Sequence, residues 1–96
     1  MRTTWLVTYD VCDPKRLRRV YRALLGYGDA VQLSVFRCEL TDREHIECRA
    51  ALSKLIHHRE DQLLFVDVGP SDGRGRTAIG ALGRKYTPSE RAPVIV

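Results

Sequence analysis

The sequence predicts an α+β domain built in the order β-α-β-β-α-β, and three observations lead there. A β-branched and aromatic run at the start gives way to an apolar period of 3.6 residues. The same change recurs after residue 41, and a last apolar run is closed by Gly69-Pro70. That order is the ferredoxin-like plan, in which two helices cover one face of an antiparallel sheet.

Each element has a local reason. Trp5 to Asp10 alternates as a strand, with apolar residues on both faces. Asp13-Pro14 is an N-cap followed by proline at the first helical position. Leu17, Val20, Tyr21, Leu24 and Leu25 then form one apolar helical face, and Gly26 and Gly28 end it. In AVQLSVFRCEL, Val31, Leu33 and Val35 share one side with Gln32 and Ser34 on the other. The pattern shifts at Phe36-Arg37, so two short strands joined there by a turn or bulge are expected.

Thr41-Asp42-Arg43-Glu44 fits a capping box. It opens a second helix with Cys48, Leu52, Leu55 and Ile56 as its buried stripe, stopping near His58-Arg59. DQLLFVDVGP is a buried strand, and Trp5 and Phe65 are expected in the core. Residues 1–70 thus form the ferredoxin-like core. Residues 71–96 hold the loop SDGRGR, a possible short strand TAIGAL and a polar tail, which together contribute to a dimer. Helices on one face leave the other face bare, and an uncovered apolar face is a partner site. TAIGAL is expected to pair as an edge strand across a homodimer.

Ninety-six residues make one small domain, near the lower limit of what a single core stabilises. Apolar content of 44% and charge of 29% are those of a globular protein. No apolar run approaches the roughly 20 residues that span a bilayer. The N-terminal patch is too short for a signal peptide and ends on Asp10, so a cytoplasmic protein with reduced Cys12, Cys38 and Cys48 is expected. The net charge is +4, and the 16 basic residues are mostly arginine. Arginine forks suit phosphate. Their distribution says more: Lys15, Arg16, Arg18, Arg19 and Arg22 crowd two turns, with no acid between Asp13 and Asp29.

Two readings of that helix compete. Its cations are either a solvated face or a surface for a phosphate backbone; the second is favoured because no i,i+4 acid balances the field. Asp10 is likewise either a strand-end residue bonded to Arg16 or Arg19, or a ligand for a hard cation beside that surface. Magnesium keeps several waters and needs only one or two carboxylates. One Asp10 is sparse, but two copies facing across a dimer axis are adequate.

The motifs carry a resemblance. TYDV at the first strand end, the basic helix with RRV, VQLSVF, FVDVGP and a late AIGALG resemble the small CRISPR-associated protein of the spacer-acquisition module, over roughly residues 4 to 83. The resemblance implies a ferredoxin-like homodimer acting as a metal-dependent endonuclease on RNA or DNA, with Mg²⁺ or another divalent cation such as Mn²⁺. It also implies an integrase partner, which the dimer bridges. By motif, Asp10 matches the metal-binding aspartate and Arg19 a basic position of the first helix, where Arg16 and Arg22 are further candidates for nucleic acid. Tyr9 matches the residue before the aspartate, and Gln32, Ser34 and Phe36 match the second-strand motif. The chain departs from the family at Ala30, often basic elsewhere, and at Arg37 and Cys38.

Other constellations point nowhere specific. His45, His57 and His58 lack structural-zinc spacing with the cysteines and read as surface residues. Asp67 reads as pairing with a basic neighbour or an edge amide. Ser34 has no evident base nearby in sequence. Arg74, Arg76, Arg84 and Lys85 read as a loop cluster. The rival functions are a non-catalytic scaffold dimer that holds nucleic acid and integrase, and a ferredoxin-like RNA-binding module or acylphosphatase. The last two fit poorly, for want of a stacking-aromatic run and of any asparagine.

Overall fold

The structure, a computed structural model, describes residues 1–87. The order is β1 (Thr3–Asp10), α1 (Pro14–Leu25), β2 (Gly28–Gln32), β3 (Val35–Leu40), α2 (Asp42–Ser53), β4 (Gln62–Pro70) and a short α3 (Arg74–Thr77). The four strands form one antiparallel sheet in the order β2-β3-β1-β4, the ferredoxin-like arrangement expected from the sequence.

Local chemistry sets both long helices. The Asp13 side chain accepts from the Arg16 amide at 2.9 Å, with Pro14 opening α1. At α2 the capping box is complete: Thr41 Oγ1 accepts from Glu44 N at 3.1 Å, and Glu44 Oε1 accepts from Thr41 N at 2.8 Å. Val20 and Leu24 of α1 and Cys48 and Leu52 of α2 pack on Val7, Tyr9, Phe36 and Cys38 of the sheet. Each fully buried side chain of this size stabilises by about 1.5–3 kcal/mol. Trp5 and Phe65 are only partly buried against this core.

The other sheet face is open. Leu6 stands beside Val66 and Arg37, and Thr8 beside Leu64 and Val35. Leu64 and Val66 remain about half exposed. Tyr86 returns close enough to Arg37, Asp29 and Glu39 to feel their charges, which places it over the β2–β3 side of the sheet.

Three boundaries differ from the sequence reading. The β2–β3 turn lies at Leu33-Ser34, not Phe36-Arg37. Ser34 takes a φ of 63°, and Leu33, in the turn itself, is 95% exposed. Arg37 misled the pattern because it is buried, with its guanidinium on Glu39 at 3.0 Å. Secondly, α2 ends at Ser53, and Leu55 and Ile56 reach the core from the turn beyond it. Thirdly, no strand forms over TAIGAL in the single chain. Arg74–Thr77 is helical, and residues 78–87 carry no strand, since a strand needs a paired edge and any partner's edge is absent from one chain.

Residues 71–77 dock on the β1 start. Ser71 N donates to Arg2 O at 2.9 Å, Ser71 and Thr4 hydroxyls meet at 2.9 Å, and Gly75 is buried against Thr4. The loop cluster expected around Arg74 and Arg76 is therefore a helical turn. The end of the polar tail, from residue 88, lies outside the described residues.

Gly28 shows how tightly β2 meets β3. A Cβ there would run into the Arg37 carbonyl oxygen and lie 2.6 Å from Cys38 Sγ. Gly28→Ala is expected to destabilise by about 1–3 kcal/mol. The check is a urea midpoint that falls with an unchanged m value.

Candidate nucleic-acid and metal site at the end of the first strand

Asp10 is the last residue of β1, exposed, and paired in register with Gln62 at the sheet rim. No hydrogen bond or ion pair among the described residues reaches its carboxylate. The salt bridge to Arg16 weighed from the sequence does not form, because Arg16 is engaged elsewhere. Its Nε donates to Asp61 Oδ2 at 2.7 Å, and one terminal nitrogen donates to Asp61 Oδ1 and Glu60 Oε1, both at 3.2 Å.

Asp61 anchors a latch that sequence reasoning missed. Its side chain is fully buried, and it also accepts from Cys12 N at 3.0 Å and His57 N at 2.8 Å. The Arg16 guanidinium, with those two amides, holds its carboxyl well below the usual carboxylate range despite burial. Two amides and an arginine from three segments thus converge on one carboxylate. The latch fixes the chain leaving Asp10 against the loop entering β4.

With Arg16 so committed, the exposed cations of α1 are Lys15, Arg18, Arg19 and Arg22. No acid lies in the first turn of α1, and Arg22 lies in its last. The second-strand motif gathers around Tyr9, the residue before Asp10. Tyr9 N donates to Ser34 O at 3.1 Å, the Tyr9 and Phe36 ring centroids are 6.0 Å apart, and Gln32 ends β2 opposite Val35. Burial pushes the Tyr9 hydroxyl up, with the Tyr21 charge a smaller cause.

His45, Cys48 and Asp67 are taken up in structural contacts. His45 stacks on Trp5 with centroids 4.1 Å apart and accepts from Arg49 Nε at 2.8 Å. Burial, then the Arg49 charge, pushes its pKa down. His57 and His58 are exposed. Burial pushes the Cys48 thiol up to about 12, so it stays protonated. Asp67 caps the Gly69 amide at 2.8 Å, the edge-amide role expected of it. Among the described residues no group of three or more His, Cys, Asp or Glu side chains could hold a metal ion. At the end of β1 the chain therefore presents one exposed carboxylate, Asp10, a hard oxygen ligand of the kind a cation that keeps its waters accepts. No helix among the described residues is long and apolar enough to cross a membrane.

The comparisons with known proteins agree with this geometry. Residues 1–74 match the family described as CRISPR associated protein Cas2. A Rhodospirillum rubrum protein named CRISPR-associated endoribonuclease Cas2 1 is 38% identical over 92 residues, which cover 96% of this chain and 89% of that one. A Geobacter sulfurreducens protein named CRISPR-associated endoribonuclease Cas2 is 33% identical over the full length of both. The crystal structure of Streptococcus pyogenes Cas2 superposes with a TM-score of 0.71 at 35% identity, covering 83% of this chain and 99% of that one. With the fold, the strand-end aspartate and the basic helix all in place, the chain belongs to the CRISPR-associated protein Cas2 family.

Proposed function

We propose that the chain is a CRISPR-associated, metal-dependent endonuclease that hydrolyses nucleic-acid phosphodiesters during acquisition of new spacers, with Asp10 as its metal ligand. The observation that carries this reading is the Asp10 carboxylate, which is exposed at the sheet rim with no ion pair among the described residues, while Arg16, a counter-ion candidate from the sequence, is locked onto Asp61. The names of the Rhodospirillum and Geobacter relatives favour RNA as substrate.

Asp10 of two copies would hold Mg²⁺ or Mn²⁺. The ion, when bound, neutralises phosphoryl oxygens and lowers the pKa of a coordinated water. Arg18, Arg19 and Arg22 hold the phosphate backbone. The open face, with Leu6, Val35, Leu64 and Val66, is the surface for a homodimer, and the integrase subunit is the further partner. Three free cysteines suit a reducing cytoplasm. A scaffold dimer without cleavage is the second reading, favoured because no three His, Cys, Asp or Glu side chains cluster among the described residues of one chain.

Labelled RNA and duplex DNA incubated with purified protein in Mg²⁺ or EDTA test the proposal. Cleavage of RNA in Mg²⁺ and none in EDTA is expected. Binding without cleavage in either condition leaves the scaffold.

The basic helix has its own test. Arg19→Ala with Arg22→Ala is expected to reduce the slope of log K against log salt on single-stranded RNA by about 1.4, at roughly 0.7 per phosphate contact. An unchanged slope rejects α1 as the contact surface. Arg16→Ala is expected to lower stability more than it lowers that slope.

A further inference from the structure

A groove of about 500 Å³ lies between α1 and the β2–β3 turn, on the helix-covered side of the sheet. Its floor is apolar: Leu17 and Tyr21 from α1, Tyr9 from β1, and Leu33 from the turn. Its rim is polar and cationic, with Arg18 and Arg22 one helical turn apart and Gln32 and Ser34 at the turn. No acid lines it. Tyr21 meets buried Phe36 edge-on at 5.5 Å yet stays 42% exposed, and Leu33 stands almost wholly in water.

An apolar floor left open beside two cations calls for a ligand that is flat and apolar in its body, hydrogen-bonding at its edge and anionic on its flanks. An unpaired nucleobase with its neighbouring phosphates has those properties. Tyr9 lines the groove, and the next residue, Asp10, projects to the opposite sheet face. A strand rounding the rim would therefore place a base on one side and a phosphate toward Asp10 on the other. We propose that this groove receives one unstacked base of a single-stranded nucleic acid. Tyr21 is the stacking platform, Gln32 and Ser34 meet the base edge, and Arg18 and Arg22 grip the flanking phosphates. The inference rests on the nuclease reading above and deepens it by naming where a base of the substrate is held. A duplex would first have to extrude a base, at a cost of a few kcal/mol.

The test is binding in EDTA, so that cleavage plays no part. Fluorescence anisotropy compares a fully abasic strand with the same strand carrying one uracil. Wild type is expected to bind the one-base strand about tenfold more tightly. Tyr21→Leu should lose that gain and keep the affinity for the abasic strand, since the arginines remain. Leu33→Ser, in an exposed turn, gives a second variant that does not disturb the core and should reduce the gain. Equal affinity of wild type for the two strands overturns the proposal, as would follow if the groove took a protein segment. So does a gain unchanged in both variants. Base-dependent binding by a protein that never cleaves RNA would reject the nuclease reading and leave the groove standing.

Discussion

Asp10→Asn is expected to keep the fold and the dimer and to lose metal-dependent cleavage by about a hundred- to ten-thousand-fold. An amide has nearly the shape of a carboxylate but no charge, so a hard dication loses its anionic ligand. The charge stabilisation a metal supplies is several kcal/mol, and each 1.36 kcal/mol is tenfold in rate. The fold should be nearly indifferent, because the Asp10 side chain is exposed and has no partner among the described residues. Surface substitutions of that kind usually change stability by no more than about 0.5 kcal/mol. A melting curve and a gel-filtration profile matching wild type, with cleavage gone, is the expected pattern. Equal cleavage by the variant would remove Asp10 from the metal site and leave contamination or another ligand as the source. A large fall in stability would revive the structural role weighed for Asp10 from the sequence.

What was legible in the sequence was local. Asp13-Pro14 and Thr41 to Glu44 set both helix starts because a cap acts within three residues of itself. Asp10 was visible because it ends an alternating run. The ends of elements were harder. Between Ser53 and Asp61 no glycine or proline stops α2, and Leu55 and Ile56 continue the apolar spacing after the helix has ended. In the second strand pair the tertiary structure overrode the pattern, since Arg37 is buried and Leu33 exposed. The site was half legible for the same reason. Arg16 was noticed as a cation, but its partner lies 45 residues away and adjoins the chemically similar Glu60. Nothing in the linear order says which of the two acids is buried. The groove beside Tyr9 is not legible in the sequence, because its floor joins the apolar face of the first helix to Leu33, which the alternation groups with Val31 and Val35.

Asp61→Asn is expected to be the most damaging single change near the site. The carboxylate accepts from Arg16 and from the amides of Cys12 and His57 at once. An asparagine supplies one acceptor oxygen and turns an NH₂ group toward donors, leaving Arg16 with only the exposed Glu60 carboxylate as counter-ion. Breaking a buried pair from one side is strongly destabilising, and the melting temperature should fall by about 10 °C or more. The pH dependence identifies the cause. Asp61 has a folded pKa below its unfolded value, chiefly through Arg16. Its stabilisation is therefore complete above the ordinary carboxylate value of about 4, and it is lost as pH falls below that toward the folded value. Wild type should lose stability through this acid range, and Asp61→Asn should lose less there, because its share is already gone at neutral pH. The two curves should converge toward low pH. Cleavage should fall as well, since the latch holds the chain two residues beyond Asp10. If the stability gap between the two proteins is the same at pH 7 and at pH 2.5, the Asp61 carboxylate is not what the latch depends on.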